Sequence, residues 1–272
     1  MLIAVHQMNS CADIDQNCAA MAKAMKEAKA GGAAFYFAPE MSLLLDRDRE
    51  RAKASITPEA GNEALRVLTS LAKELELWVH MGSVPVLSEY EGRLANRSIL
   101  VDSSGQLVAR YDKMHLFDVD LSTGESWRES SAYVGGDAAV LAETPLGPMG
   151  LTICYDMRFP DLYSRLARGG ARAFAVPAAF TVPTGKAHWH ILLRARAIES
   201  AAFVIAAAQS GKHEDGRETY GHSLVVDPWG NVILDMGEGE GLGFAEIDLS
   251  RVDEVRAQIP VHLNRRDIPP LS

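Results

Sequence analysis

Positive charge, cysteine and long apolar runs are all scarce in this chain, and each scarcity removes a class of function. Lysine and arginine number 27 against 36 aspartates and glutamates, a formal net charge of -9 over 272 residues. With no basic face to neutralise phosphates, nucleic acid is excluded as a partner. The one dense basic spot, Arg265-Arg266, is too small for a polyanion footprint. The three cysteines, Cys11, Cys18 and Cys154, form no CxxC pair. Their odd number builds no disulfide framework and points to a reducing compartment. No apolar stretch reaches bilayer-spanning length, since even AAFVIAAAQS soon turns polar. The first ten residues, MLIAVHQMNS, read as a strand without the basic start of a leader. The expectation is a soluble, cytoplasmic protein with no membrane partner.

What is present is an alternation of two periodicities. LIAVHQ (2–7) and AAFYFA (33–38) read as strands, and between them Ile14, Cys18, Met21, Met25 and Ala28 recur at helical spacing. This stripe starts near Asp13, with Gln16 as a capping-box partner, and stops at Gly31-Gly32. It accounts for Cys18 as a core residue. A second helix runs from about 62 to 77 with Leu65, Leu68, Ala72 and Leu75 inward. WVHMGSVPVL, a hairpin of NRSILVD and QLVARYD, and a Gly/Ser-rich loop (118–137) follow. Then come LTICYD, a helix (about 160–169), ARAFAVPAA, a long helix through HWHILLRARAIES, four further strands and a last helix (about 250–258). Buried-looking strands interleaved with helices predict an α/β fold, and the hairpins predict mixed sheets. No linker divides residues 1–272, so one domain is expected.

LTICYDMRFP (151–160) delivers Cys154 at the end of an apolar run and turns polar at once. A free cysteine is more often a small buried hydrophobe than a nucleophile. Two other polar residues occupy the same kind of place, however: Glu40 after FYFAP and Lys113 after VARYD. Ligands of α/β folds bind in the crevice at strand ends, so a carboxylate, an ammonium and a thiol could converge there. Singly, each also reads as a solvated loop residue or a core residue.

Together, FAPEMSL around Glu40, YDKMHLF around Lys113 and ICYDMRFP around Cys154 resemble the three signature segments of the nitrilase (carbon–nitrogen hydrolase) superfamily, in that order. The similarity extends through GHSLVVDPWGN to the tail. The resemblance implies a four-layer αββα sandwich whose subunits pair across a helical layer, as a homodimer or higher homo-oligomer. The tail (about 259–272) would extend toward a partner subunit. It also implies a site without cofactor or metal that cleaves non-peptide C–N bonds. There Cys154 would form a thioester, Glu40 would carry protons, and Lys113 with the Tyr155 backbone N–H would face the oxyanion. Glu129, in WRESSAYVGG, matches a second family glutamate that positions the lysine and the substrate.

Arg158, four residues past the thiol, either grips a substrate carboxylate, as the resemblance suggests, or pairs structurally with Asp156 or Asp161. Thr184, in TVPTGKAHW, is either a second carboxylate contact or a helix cap before Ala187. Arg194, Arg196 and Glu199 read as an ion-pair network, and His115 as support for Lys113 or Glu40. His188 and His190 point apart on a helix, and nothing reads as a zinc constellation. The family usually shows HWE where this chain has HWH, so His190 replaces a glutamate and alters the local contacts. The segment AAAQSGKHEDGRETYGHSLVVDPWGN resembles the branch that hydrolyses deaminated glutathione; a sister branch, the ω-amidases, acts on α-ketoglutaramate. The expected activity is a thiol amidase that converts a small carboxylate-bearing amide to acid and ammonia. Nitrile or N-carbamoyl hydrolysis would use the same residues. A papain-like reading lacks a histidine base beside the thiol, and a non-catalytic interaction module would be expected to lose one of the three residues.

These assignments make Cys154 the single essential thiol. Brief iodoacetamide treatment followed by mass spectrometry should show loss of activity tracking modification of Cys154, and activity retained in Cys154→Ala would overturn the assignment.

Overall fold

Asp13 starts the first helix, Ile14–Ala30, by accepting hydrogen bonds from the N–H groups of Asp15 and Gln16 at 2.9 and 3.1 Å. The Gln16 side chain answers the Asp13 carboxylate at 3.0 Å rather than a backbone N–H, so the capping interaction is side chain to side chain. Cys18, Met21, Met25 and Ala28 are buried, as their spacing requires. The computed structural model describes residues 1–90, 92–120, 124 and 126–269. Parts of two segments read from the sequence, residues 121–123 and 125 of the loop and 270–272 of the tail, lie outside the described residues.

Two six-stranded sheets form the centre. The first runs, in spatial order, Gly241–Glu246, Leu2–Gln7, Phe35–Phe37, Trp78–Leu87, Leu94–Val101 and Leu107–Asp112. The second runs Val232–Asp235, Leu224–Val226, Phe203–Ala206, Ala173–Ala175, Gly147–Leu151 and Val140–Thr144. In each sheet the middle three strands are parallel and the outer ones antiparallel, so both sheets are mixed. Parallel neighbours need a crossover, and helices supply it: Ile14–Ala30 and Glu63–Glu74 in the first half, Pro160–Arg168 and Val182–Ser200 in the second.

Strand alternation assigns the faces. Ile3, Val5, Phe35 and Phe37 join one apolar cluster with Met149, Leu151 and Phe174 of the second sheet. Their neighbours Ala4 and Tyr36 pack with Met21, Met25, Leu68 and Ala72 of the outer helices. Leu162, Leu166, Trp189 and Leu193 cover the second sheet from its far side. The layers are therefore helix, sheet, sheet, helix, as the sequence reading expects. Several elements went unread, among them the helix Arg49–Ser55, the edge strand Val140–Thr144, the short helix Val261–Asn264 and two short hairpins, Asp118–Asp120 with Ser126–Arg128 and Ser210–Lys212 with Glu218–Tyr220. None carries an apolar periodicity long enough to register in the sequence.

Two histidines are sealed into the first sheet. His6 Nδ1 lies 2.6 Å from the Tyr36 hydroxyl and His80 Nε2 lies 2.8 Å from Ser98 Oγ. Burial disfavours their charged forms and lowers their pKa values to about 4 and about 3. The unfolded chain then binds more protons than the native one below pH ~6.5, so stability should fall as pH drops from there toward about 4. Each histidine contributes a few kcal/mol at most, because a tenfold change in proton affinity corresponds to about 1.4 kcal/mol. Thermal melts should show Tm declining across this window, with a shallower decline in a His6→Gln, His80→Gln variant. An unchanged slope would mean that neither is buried neutral.

Candidate active site

Glu40, Lys113 and Cys154 each follow a sheet strand, and the face-to-face stacking of the two sheets brings these strand ends together. Glu40 stands three residues past Phe35–Phe37, on a stretch that presses against the neighbouring strand. A Cβ at Gly82 would lie 1.9 Å from the Pro39 carbonyl, so this close passage requires glycine, which also has φ +70° there. Lys113 directly follows Leu107–Asp112, and its N–H is held by the Asn96 carbonyl at 2.9 Å. Cys154 follows Gly147–Leu151 and opens a 3-10 turn, Cys154–Arg158, with φ +46°. A non-glycine residue in this left-handed region is strained, and such strain persists only where its surroundings hold it.

Asp156 supplies the hold. Its buried carboxylate accepts four hydrogen bonds: from the Ile153 N–H at 2.8 Å, the Tyr111 hydroxyl at 2.7 Å, and the His115 N–H at 3.1 Å and ring Nδ1 at 2.7 Å. The turn that displays the thiol is thereby tied to the strand and loop that carry Lys113. His115, expected beside Lys113 or Glu40, instead serves Asp156 and stacks on Phe159 with ring centroids 3.6 Å apart.

The Lys113 ammonium is enclosed by two carboxylates. Nζ lies 2.9 Å from Glu40 Oε1, and 2.9 and 3.2 Å from Glu129 Oε2 and Oε1. Asn96 donates to Glu40 Oε1 at 2.9 Å and to Glu129 Oε1 at 3.4 Å. The Ala179 N–H binds Glu40 Oε2 at 2.8 Å, and the Phe117 N–H binds Glu129 Oε2 at 2.7 Å. Burial works against the Lys113 charge, but Glu129 and Glu40 outweigh it and hold its pKa well above the ordinary lysine value. Burial and the Glu40 carboxylate push the Cys154 thiol well above its ordinary value, against the opposing pull of Lys113. At neutral pH the thiol therefore keeps its proton, so it could serve as a nucleophile only with a base beside it.

These groups open onto a cavity of about 520 Å³ whose wall includes Tyr155, Phe180 and Thr184 as well as Arg47, Trp127 and Arg217. Arg47 and Arg217 stack on Trp127 at 4.6 and 5.2 Å, and Arg217 also pairs with Asp215 at 2.9 Å. Thr184 lies within the first turn of Val182–Ser200, its hydroxyl 2.7 Å from that of Thr181, so it is not the helix cap. Arg158 pairs with neither Asp156, which is fully engaged, nor Asp161. Its guanidinium lies over Phe180 and Tyr155, 5.2 and 5.9 Å from their centroids, with His188 Nδ1 at 3.3 Å. It thus backs the cavity wall rather than lining it. Arg196 joins Glu199 at 2.5 Å and the Met157 carbonyl at 2.8 Å, an internal network, while Arg194 turns to the Gly230 carbonyl.

Asn96 and Asp156 escaped the sequence reading. The available signal was a fully buried polar side chain in an apolar strand for the first, and an aspartate two residues past the thiol for the second. A third feature was missed too: His190 and His222, from separate elements, both meet Asp235.

Comparison with known proteins places this geometry. The carbon-nitrogen hydrolase family model matches residues 2–257. The deaminated glutathione amidase of Bos taurus is 41% identical over 269 residues, covering 97% of this chain and 82% of that protein. The protein of the same name from Synechocystis sp. (strain PCC 6803 / GT-S) is 38% identical, covering 95% of this chain and 96% of its own length. The crystal structure of the C. elegans NitFhit protein superimposes with a TM-score of 0.90 at 36% identity; the match covers 97% of this chain but only 65% of that one.

Removing the ammonium should expose the electrostatic cost of the site. Lys113→Ala leaves two buried carboxylates facing each other and should cost about 3–5 kcal/mol. Adding Glu129→Gln should recover part of the loss in urea unfolding. Equal stability of the single and double variants would show that the carboxylates do not repel.

Proposed function

The chain belongs to the carbon-nitrogen hydrolase family and is a hydrolase of non-peptide carbon–nitrogen bonds, and from that premise we propose a thioester mechanism run by Cys154, Glu40 and Lys113. Cys154 Sγ attacks the amide carbonyl while Glu40 takes the thiol proton. The oxyanion forms against Lys113 Nζ and the Tyr155 N–H, inside a water-poor site where fixed positive charge acts most strongly. Glu40 returns the proton to the departing nitrogen, the C–N bond breaks, and a thioester remains. Glu40 then deprotonates a water that attacks the thioester, releasing the acid and restoring the thiol. Glu129 holds Lys113 and orients the substrate. The observation that carries this reading is the Lys113 ammonium held by both carboxylates on the cavity wall that includes Cys154.

For the substrate we read deaminated glutathione, on the names of the two relatives and the size of the cavity. That molecule has no terminal carboxamide. The bond to break is the non-peptide amide joining its 2-oxo acid to cysteinylglycine, and the leaving group is an amine. Ammonia leaves only from a terminal amide such as α-ketoglutaramate. Both substrates share the 2-oxo acid carboxylate, whereas only the larger one has a glycyl carboxylate. We assign the second to Arg47 above Trp127 and the first to Thr184 with Arg158, whose guanidinium would have to turn from its place behind Phe180 and Tyr155 to reach the cavity. Ile191 and Ile198, exposed on the outer helix Val182–Ser200, support a homo-oligomer paired across that layer.

Charged hydrogen bonds of roughly 1.5–3 kcal/mol predict the kinetics. Arg158→Ala should lower kcat/KM about 10- to 100-fold for both substrates, and Arg47→Ala should do so only for deaminated glutathione. Glu40→Gln should cost at least about 100-fold on either. Equal losses on a neutral amide of the same length, with a lowered Tm, would leave Arg158 a structural residue. Hydrolysis of nitriles or N-carbamoyl acids in preference to both amides would overturn the substrate assignment.

A further inference from the structure

Outside the cavity, three side chains from three elements converge on one point. His190 stands in the third turn of Val182–Ser200, His222 follows the strand Glu218–Tyr220, and Asp235 ends the strand Val232–Asp235. His190 Nε2 lies 2.9 Å from Asp235 Oδ2, and His222 Nδ1 lies 2.9 Å from Asp235 Oδ1. The three donor atoms fall within 4.8 Å of one another. The imidazoles approach edge to face, centroids 5.3 Å apart, and all three side chains stay between about a fifth and a third exposed. An ion and its waters can therefore reach the point where they meet.

The arrangement is held in place. Tyr220 stacks on His222 at 4.4 Å and 21°. Tyr220 is itself seated against the helix, since a Cβ at Gly185 would come within 2.2 Å of its ring. His222 adopts φ +53° and donates its N–H to the Gly237 carbonyl at 2.7 Å. The Gly237 N–H in turn binds Asp235 Oδ1 at 3.0 Å. Two imidazole nitrogens and one carboxylate, with a side open to water, match the donor preference of borderline divalent metals rather than of calcium or magnesium.

We infer that His190, His222 and Asp235 form a binding site for a late first-row divalent metal ion, with zinc, cobalt and nickel as the fitting class. Binding would use the two imidazoles as neutral ligands, each carrying its proton on the ring nitrogen that faces away. The ion would clamp the helix Val182–Ser200 to the segment 218–222. Thr184 on that helix and Thr219 in that segment both belong to the cavity wall, where Thr181 bridges to Thr219. The clamp would thus stiffen one side of the cavity without touching the reacting groups.

The test uses chelator-stripped full-length protein. One equivalent of Co²⁺ should give visible d–d bands without the near-ultraviolet charge transfer of a thiolate ligand, and the spectrum should be unchanged in Cys154→Ala. Zinc at ~100 times its Kd should raise Tm by about 5 °C. His190→Ala and Asp235→Asn should each weaken binding by about 10-fold or more, while melting like the parent in EDTA. Absence of the bands, affinity unchanged in both variants, or a signal lost with Cys154 would each overturn the site.

Discussion

A buried ammonium between two carboxylates is the constraint on which the rest of this structure turns. Lys113 is almost entirely enclosed, and an enclosed charge is tolerable only when its partners are close, correctly oriented and themselves satisfied. Every nearby element contributes to that end. Asn96 from the strand beside that of Lys113, and the Ala179 N–H from the segment after the second-sheet strand Ala173–Ala175, complete Glu40, and the Phe117 N–H completes Glu129. The two sheets must stack with their strand ends in register for these groups to meet. The polar site thus specifies the mutual placement of layers that apolar packing alone would leave freer.

The same enclosure sets the chemistry. A thiol beside Lys113 alone would be drawn toward thiolate. Burial and Glu40 together reverse that tendency, leaving a protonated Cys154 next to the carboxylate able to receive the proton. In the proposed mechanism, reactivity is then gated by proton transfer rather than stored as a standing anion. The left-handed backbone at Cys154 is the local cost of aiming the sulfur into the cavity, and Asp156 offsets it with four hydrogen bonds into two elements. A substitution at Asp156 would disturb the thiol and the lysine loop together, because one carboxylate fixes both.

Each half of the chain builds three parallel strands joined by two crossover helices, then adds antiparallel strands at the edges. Glu40 leaves the first such unit and Cys154 the second, so the site exists only at the junction of the halves. That explains why no short stretch of sequence reads as an active site by itself. The resemblance of three separated segments to one family was legible because each contains a strand end and the polar residue displayed just beyond it.

Local pattern alone settled a good deal. The helical stripe from Ile14 to Ala28 placed Cys18 in the core, and the apolar runs LIAVHQ and AAFYFA read as strands, because periodicity is a property of neighbours in the chain. Glu40, Lys113 and Cys154 were visible only as polar residues just past strand ends, and the resemblance of their three segments to one family joined them into a single candidate site. Tertiary packing decided the rest. Asn96 could not be told from any other polar strand residue until Glu40 and Glu129 were brought to it. Arg158 could not be kept from Asp156 until Tyr111, His115 and Ile153 had taken that carboxylate. His190 looked solitary beside His188 because its partners, His222 and Asp235, lie 32 and 45 residues further on. Sequence spacing states which face a side chain leaves by; which group it meets depends on how the layers are laid against each other.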